Sequence, residues 1–289
     1  MKVFFIDFMK YRRVALAASL VLMLASLVLL LTRGLSLGID FTGGNVIQVE
    51  FPQAVSVKEV RDLLASVSQE SAVIQAYSDR GVIIRMNAEQ EEVRKKAVEV
   101  MKAKYPGMQV VRLEKVGPVV GGELRREAVI ALALALAGIL GYITMRFQFR
   151  FAVVSVLALV HDSLITLGIF SLTGMDVSSP FIAAILTIVG YSINDTIVIL
   201  DRVRENWKNL RTQGILELLN ASINETLSRT INTSLTTLLP VIAMYLWGGA
   251  TLRSFSFALL IGIVVGTYSS IYIASGLLAE WWIKSPQNR

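Results

Sequence analysis

The chain has no cysteine and only one histidine, His161. Without cysteine there is no disulfide framework, no thiolate metal site and no thiol nucleophile. A single imidazole cannot assemble a histidine-based zinc centre, so no metal site is expected. Charge is scarce as well: Asp, Glu, Lys and Arg make up 17% of the 289 residues, where a soluble domain carries about a quarter. No phosphate-binding loop and no nucleophile–base arrangement stands out. The expectation is therefore a chain that is not an enzyme and holds no cofactor. What is abundant is apolar surface, 54% of the residues, which points to a membrane protein. The net charge of +6 could suggest nucleic acid. The basic residues sit mostly at the ends of apolar runs, however, which is the pattern of membrane topology, and no nucleic-acid partner is expected.

The run from Val14 to Leu31 carries no charge and can cross the roughly 30 Å hydrocarbon layer. Lys2, Lys10, Arg12 and Arg13 precede it, as they would a signal peptide. The run is long for a signal core and has no convincing small-residue cleavage site before Thr32 and Arg33, so it reads as a retained anchor. Further spans are expected at Ala128 to Met145, Ala152 to Thr173, Pro180 to Leu200, Thr230 to Trp247 and Phe255 to Ile283, six in all. Arg146 and Arg150 follow the second span, Arg202, Arg204, Lys208 and Arg211 the fourth, and Lys284 and Arg289 the sixth. The positive-inside bias then places both termini in the cytoplasm and the long segment after the first span outside it.

The division that follows is 1–33 for the N-terminus and first span, 34–127 for an exported domain, 128–283 for the remaining bundle and 284–289 for a cytoplasmic tail. Within 34–127, Val46 to Phe51 alternates like a strand, and Ser56 caps a helix with Val57, Val60, Leu63, Leu64 and Val67 on one face. Ala72 to Tyr77 and Val82 to Met86 are strands about a turn. A second helix runs from Ala88 to Lys104, and Pro106-Gly107 ends it before the strand Met108 to Val116. The order is that of a ferredoxin-like split βαβ domain of α+β class. In the segment 205–228, Ile215, Leu218, Leu219, Ile223 and Leu227 recur at helical spacing opposite Glu217, Asn220 and Asn224. This predicts an amphipathic helix lying on the cytoplasmic membrane surface, in contact with lipid, or packing on a partner. Gly262 and Gly266, and Gly138 and Gly141, mark faces for close helix packing.

An ionised residue inside a span costs about 2.5–3.5 kcal/mol and needs a partner, water or neutralisation. Asp195 is the clearest case. It lies within the fourth span in Gly190-Tyr191-Ser192-Ile193-Asn194-Asp195-Thr196, about 9 Å from Asp201 at 1.5 Å per residue. Arg229, at the entrance of the fifth span, is the natural cation, since its long side chain can reach inward. Thr233, Ser234, Thr236 and Thr237 continue a polar path, and Pro240 is expected to kink the helix. Two readings stand: a proton- or ion-handling pair, or a static ion pair that fixes packing. A carboxylate among hydroxyls serves a proton or a sodium ion equally. His161 and Asp162 form a second constellation in the third span. Adjacent residues point about 100° apart, so they cannot face one partner equally. Asp162 reads as a second relay or as a helix–helix hydrogen bond, and His161 as a neutral imidazole satisfied by a neighbour.

Four stretches together resemble the SecF family of bacterial protein-export membrane proteins. They are Gly38-Ile39-Asp40-Phe41-Thr42-Gly43-Gly44, Val160-His161-Asp162, Gly190 to Thr196 leading to Asp201-Arg202-Val203-Arg204-Glu205-Asn206, and Thr226-Leu227-Ser228-Arg229-Thr230. The resemblance implies half of a twelve-span unit of the resistance-nodulation-division superfamily, in the bacterial cytoplasmic membrane, with SecD as the other half. It implies a role beside the SecYEG channel and the SecA motor, using the proton-motive force to move unfolded preproteins. It places the proton path on Asp195 and Arg229, with Asn194, Thr233 and Asp162 around them. Gly38, Asp40, Gly43 and Gly44 match the exported signature, where the glycines permit a tight turn. A small-molecule exporter half and a non-catalytic translocon scaffold are the competing functions, and the exported segment is short for a drug-binding route.

Overall fold

The computed structural model of the chain describes residues 5–86, 91–146, 148–207 and 210–284. The start of the expected second helix at Ala88, Lys208 and the tail beyond Lys284 lie outside those residues. Two compact units form: Leu37–Val129, and the flanking Met1–Ser36 with Ile130–Arg289.

A single 3₁₀ turn, Met9–Tyr11, leads into α1, Arg12–Thr32. The next unit begins with the short helix α2, Ile39–Thr42, and continues β1 Gly44–Glu50, α3 Val57–Ala65, β2 Val73–Ala76, β3 Gly81–Met86, α4 Glu91–Lys104 and β4 Gln109–Val116. The strands form one antiparallel sheet in the order β2-β3-β1-β4. A reciprocal capping box starts α3: Ser56 Oγ accepts from the Glu59 amide, and the Glu59 carboxylate accepts from the Ser56 amide. Alternation then decides which side chains go inside. Ile47 and Val49 of β1 and Val82, Ile84 and Met86 of β3 bury against Val60 and Leu64 of α3 and Ala97 and Met101 of α4. Each such aliphatic burial contributes about 1.5–3 kcal/mol against chain entropy.

The remaining helices are α5 Pro118–Arg146, α6 Phe149–Thr173, α7 Ser179–Asn206, α8 Leu210–Trp247 and α9 Gly249–Ser269. A π-helical turn, Ser270–Ala274, joins α9 to α10, Ser275–Lys284. Among the described residues, five helical stretches are long and apolar enough to cross a membrane: Met9–Thr32, Val120–Arg146, Phe149–Thr173, Ser179–Asn206 and Leu252–Lys284. The expected span in α8 is not one of them, because Asn232, Thr233, Ser234, Thr236 and Thr237 dilute its apolar half. The non-helical residue within α8 is Gly214, with φ +75°, and not Pro240.

α7 packs on α6, α8 and α9. Small residues permit the closest approaches. A Cβ on Gly262 would run into the Ile188 side chain, and one on Gly266 would come within 2.9 Å of the Ser192 Cβ. Gly168 of α6 meets Ser26 of α1 in the same way. A Cβ on Gly138 or Gly141 would meet nothing within 4 Å, so among the described residues no helix packs closely on the small face expected of them in α5.

The amphipathic segment departs from both expectations held for it. Leu218, Leu219 and Ile223 are fully buried, packed with Phe8, Met9, Ile199, Leu200, Val203, Leu278 and Trp282 of the same chain. The centre of its apolar stripe is therefore part of the bundle core, with Ile215 and Leu227 partly buried against it. Its polar face is also occupied. Asn220 Oδ1 accepts from the Met9 amide at 2.9 Å, and Asn220 Nδ2 donates to Asp7 Oδ1 at 2.7 Å. Asn224 Oδ1 accepts from the Ile6 amide, while its Nδ2 donates to the Ile6 carbonyl.

Candidate functional site

Among the described residues, two carboxylates lie buried inside the bundle. Asp195 stands on α7 with 2% of its surface exposed. Its Oδ1 has one neighbour, the Thr233 hydroxyl on α8 at 3.5 Å, and its Oδ2 has no hydrogen-bond partner. The Thr233 hydroxyl is closer to the carbonyls of Thr230 and Arg229, at 2.9 and 3.0 Å. A bond at 3.5 Å is at the limit of the interaction, so the carboxyl group is nearly bare.

Arg229 does not pair with it. Its side chain is exposed, and among the described residues no ion pair joins the two. The expected Asp195–Arg229 ion pair is not made: Arg229 lies a full helical turn before Thr233 on α8, nearer the helix entrance. Asn194 is exposed and makes no hydrogen bond among the described residues, as its position 100° from Asp195 around α7 dictates. The rest of the polar stripe is satisfied elsewhere. Ser234 bonds Thr267 on α9 and receives the Tyr191 hydroxyl, while Thr236 and Thr237 donate back to carbonyls of their own helix.

A buried ionised carboxylate without donors carries an effective penalty of several kcal/mol. Three routes remove it: a proton, a small cation, or the approach of a guanidinium.

Asp162 is the opposite case. It is 1% exposed, yet its Oδ1 lies 2.8 Å from His161 Nδ1 and its Oδ2 accepts from Ser192 Oγ at 2.6 Å and Ser269 Oγ at 2.8 Å. One carboxylate thus holds α6, α7 and α9 together. Of the two roles open from sequence, the helix–helix hydrogen bond is present. His161 turns back on its neighbour, and its Nε2 is buried without a partner. The donors Ser192, Ser269 and Ser270 were not singled out from sequence. The available signal was the i, i+4 spacing of Ser192 and Thr196, which puts two hydroxyls on one face of α7. Ser270 bonds Thr196 at 2.8 Å.

The signature before β1 is also built as a turn. Gly38 precedes α2, Asp40 lies in it, and Gly43 and Gly44 follow with φ of +70° and +114°, a region closed to other residues without strain. Gly121 at the start of α5 comes so close that a Cβ there would lie 3.1 Å from the Gly43 nitrogen.

Comparison with known proteins gives these features a family. The profile described as "Protein export membrane protein SecD/SecF, C-terminal" matches residues 96–284, and that of the "SecD/SecF GG Motif" matches 28–55. This chain belongs to the SecF family. It is 46% identical to the protein translocase subunit SecF of Desulfurispirillum indicum, over 97% of this chain and 93% of that one. With the SecF of Pseudomonas aeruginosa it shares 44% over 94% and 90%. It also matches the crystal structure of SecDF, a translocon-associated membrane protein from Thermus thermophilus, with a TM-score of 0.90 and 42% identity. That match covers 98% of this chain but only 39% of the longer SecDF chain.

Proposed function

We propose that this chain is the ion-coupled half of a SecD–SecF pair in the bacterial inner membrane, driving preprotein movement at the SecYEG channel and SecA with the proton-motive force. The observation that carries the coupling is the bare carboxyl group of Asp195, buried on α7 with one oxygen unpartnered. A proton on Asp195 removes the buried charge and leaves Arg229 free to stay outside, which is the separated arrangement described above. Loss of the proton restores the charge and draws Arg229 inward along α8 past Thr233. Asn194 takes no direct part in this reading. A charge moved across the membrane supplies about 2.3 kcal/mol per 100 mV, enough to bias such a two-state element. SecD as partner is supported by the SecDF relative, in which the SecF-like region is part of one longer chain.

The same reading assigns the second half of α8, 230–247, as the fifth of six spans, with its threonine face turned to the ion path and not to lipid. It assigns the unit between α1 and α5 as a ferredoxin-like exported domain, supported by its βαββαβ order and antiparallel β2-β3-β1-β4 sheet. Both termini then lie in the cytoplasm, where Arg12 and Arg13 meet Glu280 and Arg150 stacks over Trp281. The test is Asp195→Asn in proteoliposomes with SecD and the channel. Export should lose its dependence on an imposed pH gradient while the complex is recovered in normal amount. Undiminished gradient-driven export would refute the coupling role. Repeating the assay with a sodium gradient identifies the ion.

A further inference from the structure

We propose that Asn220 and Asn224 are positioning residues for the ion site: they clamp the N-terminal segment Ile6–Met9 behind α8 and so fix the rotation of α8 that sets Thr233 beside Asp195. This rests on the ion-coupled reading above for its function, though not for its measurement.

The clamp is built on main-chain groups. Asn224 accepts from the Ile6 amide at 2.9 Å and donates to the Ile6 carbonyl at 2.8 Å, so one planar side chain holds both main-chain groups of one residue. Two bonds from one amide define an orientation as well as a distance. One turn earlier, Asn220 accepts from the Met9 amide at 2.9 Å and donates to Asp7 at 2.7 Å. Phe8 and Met9 enter the core shared with Leu218, Leu219 and Ile223, and the Phe8 ring meets Tyr272 of the π turn edge-on.

The segment is a fixed reference. Asp7 also accepts from the Lys10 amide at 3.1 Å, and Arg12 donates to the Met9 carbonyl and to Glu280 of α10. The helix that continues the segment, α1, packs on α6. α8 needs such a reference, because Gly214 breaks the helix before this stretch and its direction is not inherited from the residues that precede it. Beyond Gly214 the backbone is helical as far as Trp247, so a rotation at Asn224 is carried to Thr233. These two residues stand about 14 Å apart along the axis and about 180° apart around it. The clamp therefore holds α8 from behind, on the face away from Asp195. In front, Arg202 and Asn206 of α7 donate to Glu225, and Asn206 also to Ser222. Arg202 and Glu225 are each 42% exposed, and pairs of that kind are screened and weak. The buried Met9 amide and the doubly bonded Asn224 give the sharper definition. An inward move of Arg229 needs α8 to turn, and it turns against this clamp.

The chain has no cysteine, so spin labels at Leu157→Cys on α6 and Leu239→Cys on α8, both exposed positions, report the setting of α8. The full chain is measured in lipid with a cysteine-free SecD, and the labelled chain with both asparagines intact gives the reference distance. Losing the two bonds of Asn224 shifts a two-state setting by about tenfold. In Asn224→Ala the label distance should therefore move or split, and gradient-driven export should fall while SecD is recovered in normal amount. Asn224→Asp keeps the acceptor for the Ile6 amide and loses the donor to its carbonyl, and should lie between. An unmoved distance in Asn220→Ala/Asn224→Ala overturns the proposal. If that double variant is not recovered, the same readouts on Asn224→Asp and Asn224→Ala decide. A moved distance with undiminished gradient-driven export also overturns it, where Asp195→Asn abolishes that export. Gradient-driven export surviving Asp195→Asn would instead remove the coupling reading, and the label distance would still decide whether the clamp sets α8.

Discussion

Ser192 donates to Asp162 at 2.6 Å from a position one helical turn before Asp195 on the same helix. One helix, α7, thereby carries both the bare Asp195 and a donor that satisfies Asp162 on α6. Replacing Ser192 by Ala removes a charge-assisted bond and should lower stability by about 1.5–3 kcal/mol, read as a lower unfolding temperature of the purified chain in detergent. An unchanged midpoint would mean that the bond contributes nothing to holding α6 on α7.

Gly262 sets the distance between α7 and α9. Gly262→Val places branches where the Ile188 side chain already lies. Overpacking of this kind costs about 1–3 kcal/mol. Thermal unfolding should show the loss, and pairing with Ile188→Ala should recover part of it, whereas Gly138→Val should be nearly silent.

The asparagines of α8 hold the N-terminal segment. Asn220→Ala strips the Met9 amide of its acceptor, and an unsatisfied buried donor costs about 1–3 kcal/mol. Hydrogen exchange at Met9 should accelerate by tenfold or more, with exchange in β1 and β3 unaffected. Equal protection in the variant would show that the segment is held by Phe8 and Met9 packing alone.

The first helix of the small unit carries a pH dependence of known sign. Hydrogen bonds from Ser56 hold the Glu59 carboxyl below its ordinary value of 4.5. The unfolded chain therefore binds this proton more readily, so the stabilisation is present above about pH 4.5 and is lost as pH falls through the lower folded-state value. Amide protection across α3 should fall on acidification from pH 6 to pH 3, and Glu59→Gln should flatten that profile.

Gly43 occupies a backbone region that excludes a side chain, so Gly43→Ala should destabilise the turn by about 1–3 kcal/mol. Limited proteolysis near α2 should become faster. The same change at Gly117, with negative φ and open space, should have little effect.

Strands, helices and spans were legible to within a few residues wherever one period dominated: the two-residue alternation of β1 and β3, the capped stripe of α3, the uncharged run of α1. The buried position of Asp195 was legible for the same reason, since a lone carboxylate in an apolar run has few places to go. Distances between helices were not. Asp195 and Arg229 are complementary in type, but whether they touch depends on the rotation of α8, and no local pattern encodes it. The stripe of Leu218, Leu219 and Ile223 announced a buried face without naming what buries it. Ser269 and Ser270 were invisible because small hydroxyls are common in spans, and only the fold gives them Asp162 and Thr196 as partners.

The π turn at Ser270–Ala274 gives the last span two angular settings. A turn widened by one residue advances everything after it by about 100° relative to a regular helix. The N-terminal part can thus keep Ser269 on Asp162 while Trp282, beyond the turn, keeps its edge against Phe151. A regular helix through the same residues would satisfy one end at the expense of the other. The widened turn works as a phase joint, so the helix face at the buried carboxylate and the face at the tryptophan-lined end are set separately.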